Sequence, residues 1–207
     1  MTAPRVKICG LRRRSDVQAA VQAGADALGF VFTPRSSRCI DTGAARELVQ
    51  RVPAFVARGG LFMDQDAPEV RRVLAHVPLS LLQFHGGEDG EFCRQFGLPY
   101  VKALAMGGDG QLPGLDQYRD AAALLLVSHE PGAAGGTGHA FDWSRIPALP
   151  RPLVLAGGLD PENVRRAVRM VRPWAVDVSS GVELEPGVKC AEKMQRFIEE
   201  ASSEASD

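Results

Sequence analysis

The chain has 207 residues, 45% of them hydrophobic and 24% charged, with a formal net charge of −1. Against a typical domain of ~150 residues this length favours a single domain, and the composition is that of a folded globular protein rather than a disordered one. The near-neutral balance argues against a general nucleic-acid binder or a polybasic membrane surface, and no apolar run approaches the ~18 residues of a membrane span. The first five residues, Met1 to Arg5, lack the apolar core of a secretory signal, so a cytoplasmic location is expected. Cys9, Cys39, Cys93 and Cys190 are widely spread and none sits in a C-x-x-C pair, so neither a metal site nor a disulfide scaffold is suggested. Each reads first as a small buried hydrophobe.

A repeating unit runs along the chain: a short apolar run, a glycine-containing turn, then a helical pattern. The first run is Arg5 to Gly10, followed by a helix expected to be capped by Ser15-Asp16. The second is Ala27 to Phe32, with Ala44, Leu48, Val49 and Val52 on its helix. The third is Phe55 to Phe62, and Val70, Val73, Leu74 and Val77 form its i, i+3, i+4, i+7 stripe. The fourth is Leu79 to Gly86, with an acidic helix start at Glu88, Asp89 and Glu91. The fifth is Tyr100 to Leu104, and the glycines and proline that follow weaken its helix. The sixth is Ala122 to Ser128, before a glycine-rich loop at Pro131 to Gly138 and a short helix near Asp142-Trp143. The seventh is Pro152 to Gly158, with Asp160-Pro161 opening a helix. The eighth is Ala175 to Gly181, before a last helix carrying Met194, Phe197, Ile198 and Ala201. The polar tail 202–207 is expected to fray.

Eight strands alternating with eight helical segments in about 200 residues fit a single-domain α/β protein, a (β/α)8 TIM barrel spanning 1–207. An open doubly wound sheet fits less well, because no G-x-G-x-x-G follows the first strand. In such barrels the chemistry sits at the carboxyl ends of the strands. The polar residues there are Lys7 and Cys9, Gln83 and His85, Lys102, and then Asp177, Ser179 and Ser180. Strand alternation puts Lys7 with Cys9, Gln83 with His85, and Asp177 with Ser179 on common faces, expected to point into the barrel mouth. A cation two residues from Cys9 on the same face favours a reactive thiolate. Gly157-Gly158 and Ser180-Gly181, in the loops after strands 7 and 8, offer backbone donors for a phosphate; the plainer account is that they only permit tight turns. Gln83 and His85 could likewise be a satisfied core pair. The run Arg12-Arg13-Arg14 reads as a solvated loop rather than a nucleic-acid contact.

The chain resembles the phosphoribosylanthranilate isomerase family of tryptophan biosynthesis. The residues that carry the likeness are Lys7-Ile8-Cys9-Gly10-Leu11, Gly29 to Phe32, Ser37-Arg38 and Leu82 to Gly86. They continue through Gly135-Gly136-Thr137-Gly138 with Phe141-Asp142-Trp143, Leu155 to Leu159 with Pro161 to Val164, and Val176 to Glu183. The resemblance implies an Amadori rearrangement of N-(5-phosphoribosyl)anthranilate, an intramolecular aldose–ketose isomerisation with no metal and no organic cofactor. A general acid assists furanose ring opening to a Schiff base. A base then removes the C2 proton, and the enolamine collapses to the ketone. By resemblance Cys9 is the base, Arg38 holds the anthranilate carboxylate, Asp177 contacts the sugar, and Gly157, Gly158, Ser180 and Gly181 hold the phosphate. Lys7, Gln83 and His85 line the same pocket. Partners beyond a phosphorylated small molecule are not implied, neither nucleic acid nor membrane, and the fold occurs as monomer or homodimer.

Two positions depart from the family pattern. The general acid is an aspartate in a Leu-Leu-Leu-Asp run, and this chain reads Leu124-Leu125-Leu126-Val127. Valine has no proton to give. Three explanations stand: another residue serves (His129 first, then Glu130 or Asp177); the change leaves a folded, ligand-binding but catalytically impaired barrel; or the substrate is another phosphorylated sugar. The second departure is Cys190, where Val-Lys-Asp is usual and the aspartate would cap the last helix.

Overall fold

In a computed structural model, residues 3–106, 112, 114–127 and 143–203 are described. Eight parallel strands close into a barrel in chain order: β1 (Arg5–Cys9), β2 (Ala27–Val31), β3 (Ala57–Phe62), β4 (Leu81–Phe84), β5 (Tyr100–Ala105), β6 (Ala123–Val127), β7 (Leu153–Leu155) and β8 (Ala175–Val178). The sheet closes where β1 pairs with β8, which sets Lys7 against Asp177. On its other side Cys9 lies against Gly29 of β2.

Residue parity sorts each strand between two cores. The inner side of the barrel is filled by small and medium side chains: Val101, Ala103, Ala123, Leu125, Val127, Val154, Ala156 and Ala175. The outer side carries larger groups that meet the helices, among them Ile8, Leu28, Phe30, Phe62, Leu82, Phe84 and Leu124. Phe32, Phe62 and Phe84 step around this outer layer with ring centroids 5.4 and 6.1 Å apart. A barrel closed on eight strands leaves little width inside, so small residues pack there and bulk goes outward.

The covering helices are α1 (Arg14–Gln22), α2 (Thr42–Val49), α3 (Ala67–His76), α4 (Gly90–Arg94), α5 (Val164–Val171) and α6 (Ala191–Ser202). Asp41, Asp66 and Asp89 cap α2, α3 and α4 through side-chain bonds to backbone N–H groups, and α3 carries a full capping box with Glu69. The expected eight helices are not uniform. After β5 and β6 the described chain offers only short 3₁₀ turns, at Leu115–Tyr118 and Trp143–Arg145, because glycine and proline interrupt helix propagation there. The loop 131–138 and the Gly135 to Thr137 motif lie outside the described residues.

Three local expectations are corrected. Helix α1 starts at Arg14, not after Ser15-Asp16. Asp16 turns inward instead, takes a bidentate pair from Arg13 at 2.9 and 2.7 Å, and accepts from the Lys189 backbone N–H. Arg12, Arg13 and Arg14 are all exposed, as expected of a solvated run, although Arg13 pairs with Asp16 and Arg12 donates to the Ser37 carbonyl at 3.0 Å. Helix α5 begins at Val164, three residues later than Asp160-Pro161 suggests. Asp160 still closes the preceding turn by accepting from the Glu162 and Asn163 N–H groups. An antiparallel pair not anticipated, β9 (Glu183–Glu185) with β10 (Val188–Lys189), turns at Pro186-Gly187 just beyond β8. Among the described residues no helix is long and apolar enough to cross a membrane. Helix α6 runs through Ser202, so the described part of the tail is helical to its end.

Candidate active site

The carboxyl ends of the strands surround one cleft, and Cys9 lies at its floor. Cys9 ends β1 facing inward, and Lys7 sits one layer beneath it. Lys7 Nζ donates to Asp177 Oδ1 at 2.9 Å, and the Cys9 sulfur is near enough to act on its charge. Burial works against the ammonium. The Asp177 carboxylate and the Cys9 sulfur outweigh it, so Lys7 is held above the usual lysine range and stays charged. A Cβ at Gly29 would stand 2.8 Å from the Cys9 sulfur and 3.1 Å from Lys7 Nζ, so glycine is what gives this pair its room.

Around the rim stand Gln83 and His85 from the end of β4, and Asp177 and Ser179 from β8. Gln83 Nε2 lies 3.4 Å from His85 Nδ1, a long contact. Both groups face the cleft, which is what strand parity requires. Gly157 and Gly158, both at positive φ, form the turn after β7, and Asn163 Nδ2 braces it by donating to the Gly158 carbonyl at 2.7 Å. Ser180 faces the cleft from the turn after β8. Gly181 does not: it packs against the Leu159 carbonyl, where a Cβ would collide. Lys7 is likewise absent from the cleft surface and acts from below. Lys102 has the wrong parity altogether and points out of the barrel to Glu88.

Arg38 reaches the cleft from the loop after β2. Its stem crosses Gly10, where φ is +80° and a Cβ would lie 2.6 Å from Arg38 Cδ. Its guanidinium is held by Glu183: Nε to Oε1 at 2.8 Å and Nη2 to Oε2 at 2.7 Å. Lys189 Nζ joins Glu183 Oε1 at 2.8 Å and the Ser179 carbonyl at 3.0 Å, and Ser179 Oγ donates to the Cys9 carbonyl. Burial alone would raise the Glu183 pKa, but Arg38 and Lys189 hold it below the usual carboxylate range. The same burial pulls the Lys189 ammonium down.

Val127 ends β6 buried and facing the cleft, which Val31, Leu61 and Ala156 also line. Position 127 thus opens onto the cleft beside Cys9 and offers it only methyl groups. His129 and Glu130 lie outside the described residues. Among the described residues no group of three or more His, Cys, Asp or Glu side chains is placed to hold a metal ion.

Residues 6–200 match the family model described as N-(5'phosphoribosyl)anthranilate (PRA) isomerase. The chain belongs to this family. An N-(5'-phosphoribosyl)anthranilate isomerase of Acidithiobacillus ferrooxidans is 50% identical over 195 residues, 94% of this chain and 95% of that protein. One from Pseudomonas aeruginosa is 49% identical over 209 residues, covering 100% and 99% of the two chains. The phosphoribosyl anthranilate isomerase structure from Thermotoga maritima superposes with a TM-score of 0.85 at 39% identity, over 97% of this chain and 99% of that one. A further isomerase structure, solved in complex with reduced 1-(o-carboxyphenylamino)-1-deoxyribulose 5-phosphate, gives 0.82 at 38% identity over 97% and 99%.

Within this isomerase fold the sequence reading missed several cleft and support residues. Thr33 and Arg35 line the cleft from the loop that carries Arg38, and Glu183 and Lys189 stand behind Arg38. The first two follow the apolar run at Phe32, so their place after a strand end was a usable signal. Glu183 and Lys189 meet Arg38 only through the unanticipated hairpin, and no local pattern points to that meeting.

Proposed function

We propose that this chain isomerises N-(5'-phosphoribosyl)anthranilate to 1-(2-carboxyphenylamino)-1-deoxyribulose 5-phosphate, a step of tryptophan biosynthesis. The observation that carries the reading is one cleft with three fittings. Cys9 stands over the Lys7–Asp177 pair at its floor, Arg38 stands on one side, and the turns at Gly157, Gly158 and Ser180 stand on another. A ligand with a carboxylate at one end and a phosphate at the other suits that spread of charge. Guanidinium matches the carboxylate as a planar fork, and backbone N–H groups of tight turns suit a phosphate. The ligand described for the related solved structure carries both groups.

In this reading the furanose ring opens with a proton delivered to its ring oxygen, leaving a Schiff base at C1. The Cys9 thiolate takes the C2 proton, and the enolamine becomes the ketone. The Lys7 ammonium stabilises negative charge on the sulfur, and Asp177, anchored by Lys7 through one oxygen, turns the other to a sugar hydroxyl. Gln83 and His85 line the sugar side. Val127 stands where the ring oxygen needs its donor, so ring opening runs without a side-chain acid at that position. Loss of such a donor costs ~10²–10⁴ in rate. The protein works on a phosphorylated small molecule in the cytoplasm, as a monomer or a homodimer, with neither nucleic acid nor membrane as partner.

The test follows the fluorescence decay of freshly made N-(5'-phosphoribosyl)anthranilate with the chain and with Val127→Asp, side by side. The aspartate version is expected to be faster by ~10²–10⁴. Equal, fast decay in both places the proton donor elsewhere. Silence from both overturns the isomerase reading.

A further inference from the structure

The Arg38 guanidinium has two edges that can each take a carboxylate in bidentate fashion: a side edge, Nε with Nη2, and an end edge, Nη1 with Nη2. Glu183 occupies the side edge through both oxygens. Among the described residues Nη1 makes no hydrogen bond, and Arg38 lines the cleft. The fork is therefore fixed by one carboxylate with its second edge available.

Charge decides whether such a fork still attracts an anion. A lone Glu183 would neutralise Arg38. Lys189 prevents this: its side chain is 0% exposed, and its ammonium sits on Glu183 Oε1 at 2.8 Å. Two cations and one anion leave the cluster at +1. Only Arg38 of the three reaches the cleft surface, so the surplus charge is presented there. The backing is rigid. Lys189 also binds the Ser179 carbonyl, Ser179 Oγ binds the Cys9 carbonyl, and the Arg38 stem lies across Gly10.

We propose that Glu183 and Lys189 are positioning residues for substrate selection. Together they aim the end edge of Arg38, with a net positive charge, at the aromatic carboxylate of the ligand. The proposal rests on the isomerase reading above, in which Arg38 takes that carboxylate. Neither residue touches the ligand. The pair instead makes the cleft discriminate between an anthranilate and an aniline bearing the same phosphorylated sugar chain.

The test is calorimetric titration with two ligands: the reduced product analogue, and the same compound made from aniline and so lacking the carboxylate. For the unaltered chain the carboxylate is expected to tighten binding by about tenfold or more, the range for hydrogen bonds to charged groups. In Lys189→Met, which leaves Glu183 to neutralise Arg38, that preference is expected to shrink nearly to nothing, while affinity for the aniline compound stays unchanged. A purely structural role would weaken both ligands together and leave their ratio intact, which overturns the proposal. Should Lys189→Met fail to fold, Lys189→Gln reads the same ratio. Its amide can still donate to Glu183 but carries no charge, so the preference is expected to fall likewise, and its retention overturns the proposal. If neither ligand binds the unaltered chain, the isomerase reading itself falls, and the proposal with it.

Discussion

Lys7 and Lys102 are both buried, both on strands, and each is paired with a carboxylate at 2.9 Å. They sit on opposite sides of the sheet. Lys7 faces the barrel axis, and its partners, Cys9 and Asp177, open onto the cleft. Lys102 faces the helical layer. It binds Glu88 and the Gly86 carbonyl and lies over the Tyr118 ring, while Glu88 in turn accepts from the Asp64 and Gly86 backbone N–H groups. The second cluster knots the loops after β3 and β4 to β5 and touches no part of the cleft. Burial and ion pairing are alike at the two sites. The side of the strand, one residue of parity, separates chemistry from scaffolding.

The sharpest way to break this contrast is to remove each ammonium in turn. Lys7→Met, measured in the Val127→Asp background where turnover is expected to be readable, should lower kcat by about 10²-fold, because on the proposed function Cys9 loses the positive charge beside it. A kcat like that of its parent would contradict the inward assignment. Lys102→Met should act on stability instead. Stranding Glu88 in the outer layer costs ~3–5 kcal/mol, which lowers the melting temperature by about 6–20 °C in a domain of this size. The kcat of the folded fraction should be unchanged, and a fall in kcat like that of Lys7→Met would erase the distinction.

Two smaller effects probe the scaffold away from both lysines. Cys190 occupies the N-cap of α6 and makes no side-chain cap bond. Cys190→Asp should add ~0.5–2 kcal/mol, about 1–8 °C in melting temperature, without altering turnover. An unchanged melting temperature would refute the cap argument. Asp120 braces the outer face by accepting from Arg94 and from the Tyr100 hydroxyl, which hold its pKa down at about 2. The unfolded chain takes up that proton near pH 4 and the folded chain only near pH 2. The contribution is therefore complete above pH 4 and lost as the pH falls through 2. Acid unfolding of Asp120→Asn should show a shallower pH slope in that window. An identical slope would mean that Asp120 does not contribute.

The barrel was legible because the strands are short apolar runs, most with a glycine inside or just after them, and because parity within a run is countable. That counting placed Cys9 with Lys7, Gln83 with His85, and Asp177 with Ser179. It gave less help for Lys102, where Val101 and Ala103 on the inner side are as apolar as the outer neighbours, so the strand carries no alternation to read. Asp16 looked like a cap because its residue type suits one, but tertiary pairing with Arg13 and the Lys189 N–H claimed it. The Arg38–Glu183 pair was the least legible part. Its members are 145 residues apart, one in the loop after β2 and one at the start of β9, and only closure of β1 on β8 brings them together.

The most direct single measurement is a crystal structure of the chain with the reduced product analogue bound. The account predicts the phosphate at the Gly157, Gly158 and Ser180 turns, the carboxylate on the end edge of Arg38, and C2 of the sugar chain against the Cys9 sulfur. A ligand bound in reverse, or in another cavity with this cleft left empty, would contradict it.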